Sequence, residues 1–297
     1  MPNFTNEESL KSFLKKESKR LNISINKVYN TYVSRLFLER ISKYNNKEVI
    51  VKGSFAQFVH LRKFVRPIID IDLASMEGHH DPIIVMVQAM SDSQNDDLIF
   101  NFRKKPYQKE TGIYKIPLIV DYGKVHQPLN IDYRENHPCI FEKQIKTVPK
   151  VFEGDTEYEV VVTSVEETLA EKLCSVVERN KLHDINTRIK DFYDIYELHG
   201  GTYDLDKFSY YFEKILENSS KVDINTATTD ILDINFIKKH EQEWENSKRK
   251  YEFLDDDINL IGAVYYTRGV LSEQLQRIKQ GKNKCYVLKK PDIDINE

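Results

Sequence analysis

The chain has 297 residues, of which 40% are hydrophobic and 31% are charged, and its formal net charge is −3. This length can bury a full hydrophobic core and predicts two structural modules. The sequence has no run of about 18 apolar residues, so no membrane-spanning helix is predicted. The slightly acidic balance means that any nucleic-acid-binding surface must be local.

The first residues and the cysteines predict where the protein resides. Residues 1–8 lack the basic and apolar blocks of a signal peptide. Cys139, Cys174 and Cys285 are far apart and have no paired spacing, which is typical of reduced thiols rather than of a zinc site or a disulfide framework. We therefore expect a cytoplasmic protein.

The N-terminal half is predicted to alternate helices with strands. Apolar residues at helical spacing predict helices over 7–21 and from Ser24 to about Ser42. Runs of strand type lie at 49–51, 69–73, 98–102, 116–122, 128–134 and 158–162. Residues 83–91 predict a helix, although their β-branched content leaves a strand open. Hairpin turns are expected at Gly123 and at Gln127-Pro128.

The C-terminal half is predicted to be helical. Ser164-Val165-Glu166-Glu167 is a capping box that begins a helix through about Val177. Further helices are predicted over 188–198 (capped by Asn186 or Thr187), 205–217, 234–251 and 256–280. The fold class is therefore α/β (α+β): a mixed-sheet domain over residues 1–160 with an N-terminal helical pair, followed by a helical domain over residues 161–297.

The stretch from Val49 to Leu73 carries the most chemistry. An apolar strand meets Lys52-Gly53-Ser54, a turn that offers backbone N–H groups to phosphate oxygens. Asp70 and Asp72 must point to the same face of the second strand, because side chains alternate along a strand. Paired carboxylates favour Mg²⁺, although an Asp-x-Asp at a strand end is also common as a solvated edge.

Residues later in the chain extend this pattern. Asp132 could face the same side as Asp70 and Asp72 if its strand lies beside theirs, or it could be a polar residue on an antiparallel edge. A third carboxylate would allow two Mg²⁺ ions. Asp191 and Asp194 share a helix face, which could look across at Lys172 or could be solvated.

Basic residues also cluster near the C-terminus, at Lys248-Arg249-Lys250 and between Arg277 and Lys290. With the interleaved Tyr251 and Tyr286 they could form an RNA-facing surface. A solvated helix end is the commoner explanation of such residues.

These motifs, in this order, resemble the nucleotidyltransferase toxins of the AbiEii/AbiGii class, bacterial abortive-infection toxins related to the MenT toxins. Lys52-Gly53-Ser54 with Asp70-Ile71-Asp72 is similar to the turn and metal pair of the DNA polymerase β-type nucleotidyltransferase fold. Asp132 lies where that fold places a third carboxylate. Ala170-Glu171-Lys172-Leu173 resembles the family's lysine motif, and Arg188 through Asp194 resembles its Lys-Asp-x-x-Asp motif. Ser54 departs from the pattern, because the family usually has a second glycine there.

The resemblance implies an enzyme that moves a nucleoside monophosphate from an NTP to an RNA acceptor, which in related toxins is the 3′ end of tRNA, together with a separate antitoxin protein. We predict that Asp70, Asp72 and Asp132 hold Mg²⁺. Lys52, Gly53, Ser54, Arg66 and Lys172 are predicted to bind the nucleotide. Asp70, Asp72, Lys172 and Asp191 are the predicted catalytic residues.

Two alternatives stay open from the residues alone. A metal-dependent glycosyltransferase also uses Asp-x-Asp after an apolar strand, but it expects a nucleotide-sugar-binding fold before the motif, and too few residues precede the motif here to form one. A non-catalytic binding protein on the same fold would retain the strands without Mg²⁺-dependent NTP binding.

Overall fold

The structure is a computed structural model. It describes residues 4–45, 48–75, 81–92, 97–135, 137, 142–181, 189–219, 222, 224–230, 232–250 and 258–281. The chain divides into two compact units, of which unit 1 comprises Met1–Thr168 with Glu243–Ile258, and unit 2 comprises Leu169–Gln242 with Asn259–Glu297.

Helices and strands alternate through the first part of the chain, as the hydrophobic patterns predict. The helices there are α1 (Glu7–Leu21), α2 (Ile25–Asn45), α3 (Gly53–Leu61) and α4 (Pro82–Ser91). The strands are β1 (Ile50–Lys52), β2 (Asp70–Ala74), β3 (Ile99–Phe102), β4 (Tyr107–Gln108), β5 (Ile113–Tyr122), β6 (Val125–Arg134), β7 (Lys143–Thr147) and β8 (Glu159–Thr163). The helix predicted over 83–91 is confirmed, whereas β4 and β7 were not predicted.

The described strands of unit 1 form one mixed sheet in the order β3-β5-β6-β2-β1-β8-β7, with β4 paired to β5. β2 runs parallel to β6 and antiparallel to β1, and β1 runs parallel to β8. The mixed α/β class predicted from the sequence is confirmed.

The core of unit 1 lies on one side of this sheet. There Ile71 and Leu73 of β2, and Ile131 and Tyr133 of β6, are buried with the apolar residues of α1 and α2. Because neighbouring side chains on a strand point to opposite faces, the residues between them must face the other side. This alternation places the acidic residues of β2 and β6 away from the core.

The turn between β5 and β6 fixes the register of the longest strand pair. Gly123 has φ of 57°, and Tyr122 pairs with Val125 across a two-residue loop, as in tight hairpins that need positive φ. The turn predicted at Gly123 is confirmed, but the one predicted at Gln127-Pro128 is wrong. Pro128 lies inside β6. The pairing of β6 with β2 begins only at Asn130, so the missing N–H of Pro128 costs no hydrogen bond to β2.

Unit 2 is helical. Helix α5 (Val165–Lys181) begins in unit 1 and continues into unit 2. It is followed by α6 (Ile189–His199), α7 (Leu205–Glu217), α8 (Ile234–Lys250) and α9 (Leu260–Lys279). Of these helices, α8 begins in unit 2 and its residues from Glu243 onward belong to unit 1. Within unit 2, α9 packs against α6 and α7. The predicted cap at Asn186 or Thr187 lies outside the described residues.

Two absences hold for the part of the chain that the structure describes. None of its helices combines the length and apolar character needed to cross a membrane. Its one described cysteine, Cys174, is buried and not in a disulfide, whereas Cys139 and Cys285 lie outside the described residues.

Candidate functional site

The turn at Gly53 brings the backbone close to the Asp72 side chain. Gly53 has φ of 61°, in the left-handed region that side chains other than glycine rarely adopt. A Cβ atom at this position would collide with the Asp72 carboxylate and lie 2.9 Å from its Cγ. The sequence therefore needs glycine here for two independent reasons, and the backbone of the turn lies directly against Asp72.

Helix α3 begins at this turn. Its N-cap residue is Lys52, whose side chain does not cap the helix, because lysine has no hydrogen-bond acceptor. The N–H groups of the first turn, including those of Gly53 and Ser54, therefore lack a side-chain cap, and the helix dipole favours an anion there. Both residues are partly exposed.

Four charged residues lie in one row across the sheet. Lys52 pairs with Asp72 between β1 and β2, Asp72 pairs with Asp132 between β2 and β6, and Asp132 pairs with Lys115 between β6 and β5. Register partners on neighbouring strands point to the same face. We call the face that carries Asp70, Asp72 and Asp132 the acid face.

The parallel pairing of β2 with β6 places Asp132 beside the Asp-x-Asp pair, whereas the sequence had left an antiparallel edge open. Asp132 forms an ion pair with Lys115, and both side chains are about one-quarter exposed (27% and 28%). Asp72 is half-buried, and Asp70 is exposed. The acid face is thus reachable from solvent at all three carboxylates.

Asp70 lies in a second row, two residues along. Asn130 is its register partner and approaches it through Nδ2 at 3.4 Å from Asp70 Oδ1. The Asn130 Oδ1 accepts a hydrogen bond from the Arg103 guanidinium at 3.2 Å. A polar chain therefore leads from the acid face to the segment after β3.

Behind the turn, Lys52 is buried in a polar cluster. Its Nζ donates to Nε2 of His137 at 2.9 Å and lies 3.8 Å from Oε1 of Glu167 in the first turn of α5. Burial, followed by the charges of Lys52 and Arg134, lowers the pKa of His137 to about 2. His137 is therefore neutral at pH 7, which lets its Nε2 accept from Lys52.

The predicted lysine motif forms a separate cluster within unit 2. Lys172 on α5 donates to Asp194 Oδ2 at 2.5 Å, and its Nζ lies 3.8 Å from Asp191 Oδ1. The three side chains are at most 10% exposed. We call Lys172, Asp191 and Asp194 the lysine cluster. Of the two arrangements left open by the sequence, the aspartates face the lysine, and Asp194 is the nearer partner.

The remaining predicted residues have simpler surroundings. Arg66 is 8% exposed, on the segment that leads into β2. Arg188 of the predicted final motif lies outside the described residues. Within the described part of the chain, no three His, Cys, Asp or Glu side chains converge as a preformed metal site.

The sequence did not point to Lys115, His137 or Glu167 as residues of the site. It also did not point to the contact that Asn130 makes with Asp70. The register of the Gly123 hairpin pairs Lys115 with Asp132, so the sequence would have pointed to Lys115 without the wrong second turn at Gln127-Pro128. The sequence pattern carries no signal for His137, which lies after the end of β6.

This fold is a mixed-sheet α/β fold in which a row of carboxylates lies beside the Gly53 turn and the N-terminus of α3. Among solved structures, the chain is similar to JHP933 from Helicobacter pylori, with a TM-score of 0.51 and 12% identity over 88% of this chain and 98% of that chain. A proposed nucleotidyltransferase of H. pylori aligns with a TM-score of 0.42 and 14% identity over 89% of this chain and 100% of that chain. No curated protein matches the chain.

Residues 37–273 match the family model of the nucleotidyl transferase AbiEii toxin of type IV toxin–antitoxin systems. Because the match spans well over half of the chain, the chain belongs to this family. It is a nucleotidyltransferase toxin. Family membership therefore favours nucleotidyl transfer over the glycosyltransferase and non-catalytic alternatives.

Proposed function

We propose that the acid face and the Gly53 turn bind a magnesium–NTP complex, and that the enzyme transfers its nucleoside monophosphate to RNA. The observation that carries this proposal is the row in which Asp72 lies between the Gly53 turn and Asp132. Carboxylates and uncapped backbone N–H groups there meet on one small surface. Those are the groups that a metal–triphosphate complex requires.

The donor set suits Mg²⁺. Asp70 and Asp72 provide hard oxygen ligands on one face of β2, and Asp132 provides a third from the neighbouring strand. When bound, the ion would neutralise negative charge on the triphosphate. Lys115 forms an ion pair with Asp132. We therefore expect Asp132 to contribute less to Mg²⁺ binding than Asp70 and Asp72 do.

The turn supplies the phosphate contacts. Backbone N–H groups at the start of α3, with the Ser54 hydroxyl, donate to the triphosphate oxygens, and the helix dipole adds to the attraction. Lys52 holds the end of β1 through His137 and Glu167 and adds positive charge beside the turn. Arg66 adds a second cation on the segment leading into Asp70.

The lysine cluster supplies the remaining proposed roles, which rest on the resemblance to the family. Lys172 offsets charge on the transferred phosphoryl group. Asp191 orients or deprotonates the acceptor hydroxyl. Asp194, the nearer partner of Lys172, holds the ammonium in position.

Family membership supports a proposal for the biological setting. We propose that the acceptor is the 3′ end of tRNA, that the added nucleotides block charging, and that a separate antitoxin protein controls the toxin. This activity would serve abortive infection in phage defence, in the cytoplasm, where NTPs and reduced thiols are found.

The test is a transfer assay. Purified protein is mixed with Mg²⁺, each labelled NTP and total tRNA, and label on RNA is measured. The parent should label RNA, and Asp72→Asn and Asp191→Asn should lower the rate by at least about 100-fold, which is the scale for groups acting on a transition-state charge. The unfolding free energy of each variant is measured beside its rate, so that loss of fold is told apart from loss of chemistry.

Asp121→Asn is the matched control. Asp121 lies on β5 of the same sheet and contacts His126 and Asn101, near the Gly123 turn at the far end of the strand from Lys115. It should retain the parent rate. The assignment fails if Asp72→Asn labels RNA as fast as Asp121→Asn does.

A further inference from the structure

The segment between β3 and β5 brings positive charge and an aromatic ring to the edge of the acid face. Residues 103–109, here called the basic segment, contain four exposed cations: Arg103, Lys104, Lys105 and Lys109. Tyr107 lies among them on β4 and is 54% exposed. In a chain of net charge −3, this concentration of cations is local.

The sheet register connects the basic segment to the acid face. Tyr107 pairs with Lys115, which pairs with Asp132, which pairs with Asp72. All four side chains therefore point to the same face of the sheet. With neighbouring strands about 4.8 Å apart, Tyr107 lies about 10 Å along the sheet from the strand of Asp132.

Arg103 gives a second, independent connection. Its backbone N–H donates to Pro117 O at 2.9 Å, which extends the β3–β5 pairing past Phe102. Its guanidinium donates to Asn130, which approaches Asp70. The first cation of the basic segment is thus fixed to the residue beside the Asp-x-Asp pair.

We propose that the basic segment is the docking surface for the RNA acceptor, a deepening that rests on the function proposed above. The phosphates that precede the acceptor end lie on Arg103, Lys104 and Lys105, and a base stacks on Tyr107. Cations bind the backbone, and an exposed ring binds any base through its π-face. The strand then ends on the acid face, where the hydroxyl is needed.

The chemistry favours RNA over an acidic protein as the occupant. The ring of Tyr107 is placed between cations and in the same row as the carboxylates, which is the arrangement that a single strand leading to the reacting atoms requires.

The experiment measures binding of 5′-fluorescein-labelled bulk tRNA by anisotropy over a series of salt concentrations. Lys104→Glu/Lys105→Glu should weaken binding at least about tenfold and reduce the salt slope by about 2, one for each lost phosphate contact. Tyr107→Ala should weaken it about tenfold, whereas Tyr107→Phe should bind like the parent because the ring remains.

The matched control is Lys15→Glu/Lys19→Glu, which makes the same charge change at two exposed positions of α1. Affinity for Mg²⁺–NTP, measured by calorimetry, should be unchanged in all of these variants. If the basic-segment variant binds tRNA as tightly as the α1 variant does, the proposal is overturned. It is also overturned if that variant instead loses only a protein partner such as the antitoxin.

Binding and transfer are read separately, so the two proposals fail separately. A parent that binds tRNA through the basic segment but transfers no label contradicts the proposed function and leaves the docking surface standing. If the Lys104→Glu/Lys105→Glu variant binds tRNA and labels RNA as the parent does, the docking surface alone is contradicted.

Discussion

The acid face of unit 1 and the lysine cluster of unit 2 both combine lysine with aspartate, but they differ in burial. On the acid face Asp70 is exposed and Asp132 is about one-quarter exposed, whereas Asp194 in the lysine cluster is fully buried. A carboxylate reachable by solvent can exchange its partner for a ligand. A buried carboxylate held by a lysine at 2.5 Å must keep its partner or lose stability.

Because of this difference in burial, substitutions of lysine or aspartate should affect different properties in the two regions. Changes on the acid face should alter ligand binding at little cost in stability, because solvent can replace the lost partner. Changes in the lysine cluster should alter stability first. Loss of activity in a lysine-cluster variant is therefore informative only beside a measurement of folding.

The largest expected effect is on Lys172. Lys172→Met leaves Asp191 and Asp194 buried without its positive charge, and we expect the free energy of unfolding to fall by about 3–5 kcal/mol. Urea denaturation measures it. Lys214→Met is the control in the same unit, since Lys214 forms an exposed ion pair with Glu217, and it should cost at most about 1 kcal/mol. If Lys172→Met and Lys214→Met lost the same unfolding free energy, the buried lysine cluster would be no more important for stability than an exposed ion pair.

A change at Gly53 tests the turn that lies against Asp72 of the acid face. Gly53→Ala adds a Cβ in a left-handed conformation and against Asp72, and we expect about 3 kcal/mol of destabilisation together with at least tenfold weaker NTP binding. Gly112→Ala is the control, because Gly112 has φ of 79° but no atom within 4 Å of its added Cβ. It should cost about 1 kcal/mol and leave NTP binding unchanged. Similar NTP affinities in the two variants would contradict the role of the close approach.

A smaller effect is expected at His137 and depends on pH. Its pKa is about 2 in the folded protein and about 6.5 in the unfolded chain. The unfolded chain therefore binds a proton below about pH 6.5 that the folded protein does not, and stability falls as pH decreases. His137→Gln keeps an acceptor for Lys52 without titrating.

Between pH 7 and pH 5, the His137→Gln variant should lose about 2 kcal/mol less of its unfolding free energy than the parent loses. Urea denaturation at both pH values measures this difference. Equal losses in the parent and the variant would show that His137 does not contribute to the acid sensitivity of the fold.

Local patterns predicted the elements well, because each needs only neighbouring residues. The apolar spacing in residues 7–21 gives α1, and the alternation of Ile69, Ile71 and Leu73 gives the two faces of β2. The common orientation of Asp70 and Asp72 follows from that alternation alone. The α/β class follows from the order of the elements.

The contacts between elements were harder to predict, because strand order is not written in any one segment. Whether Asp132 lies beside Asp72 depends on the parallel pairing of β2 with β6, which the sequence left open. Lys115 was hidden by the wrong turn at Gln127-Pro128, and the contact of His137 with Lys52 comes from a residue beyond the end of β6. The strand β7 was missed because its exposed, lysine-bearing sequence lacks an apolar face.

The most direct test of the account is calorimetric titration of NTP into the parent and into Asp72→Asn, with and without Mg²⁺. The parent should bind NTP only weakly without Mg²⁺ and at least tenfold more tightly with it. Asp72→Asn should lose that gain while its unfolding free energy stays within about 1 kcal/mol of the parent. Asp72→Asn binding NTP with the affinity and Mg²⁺ dependence of the parent would contradict the assignment of the acid face as the nucleotide site.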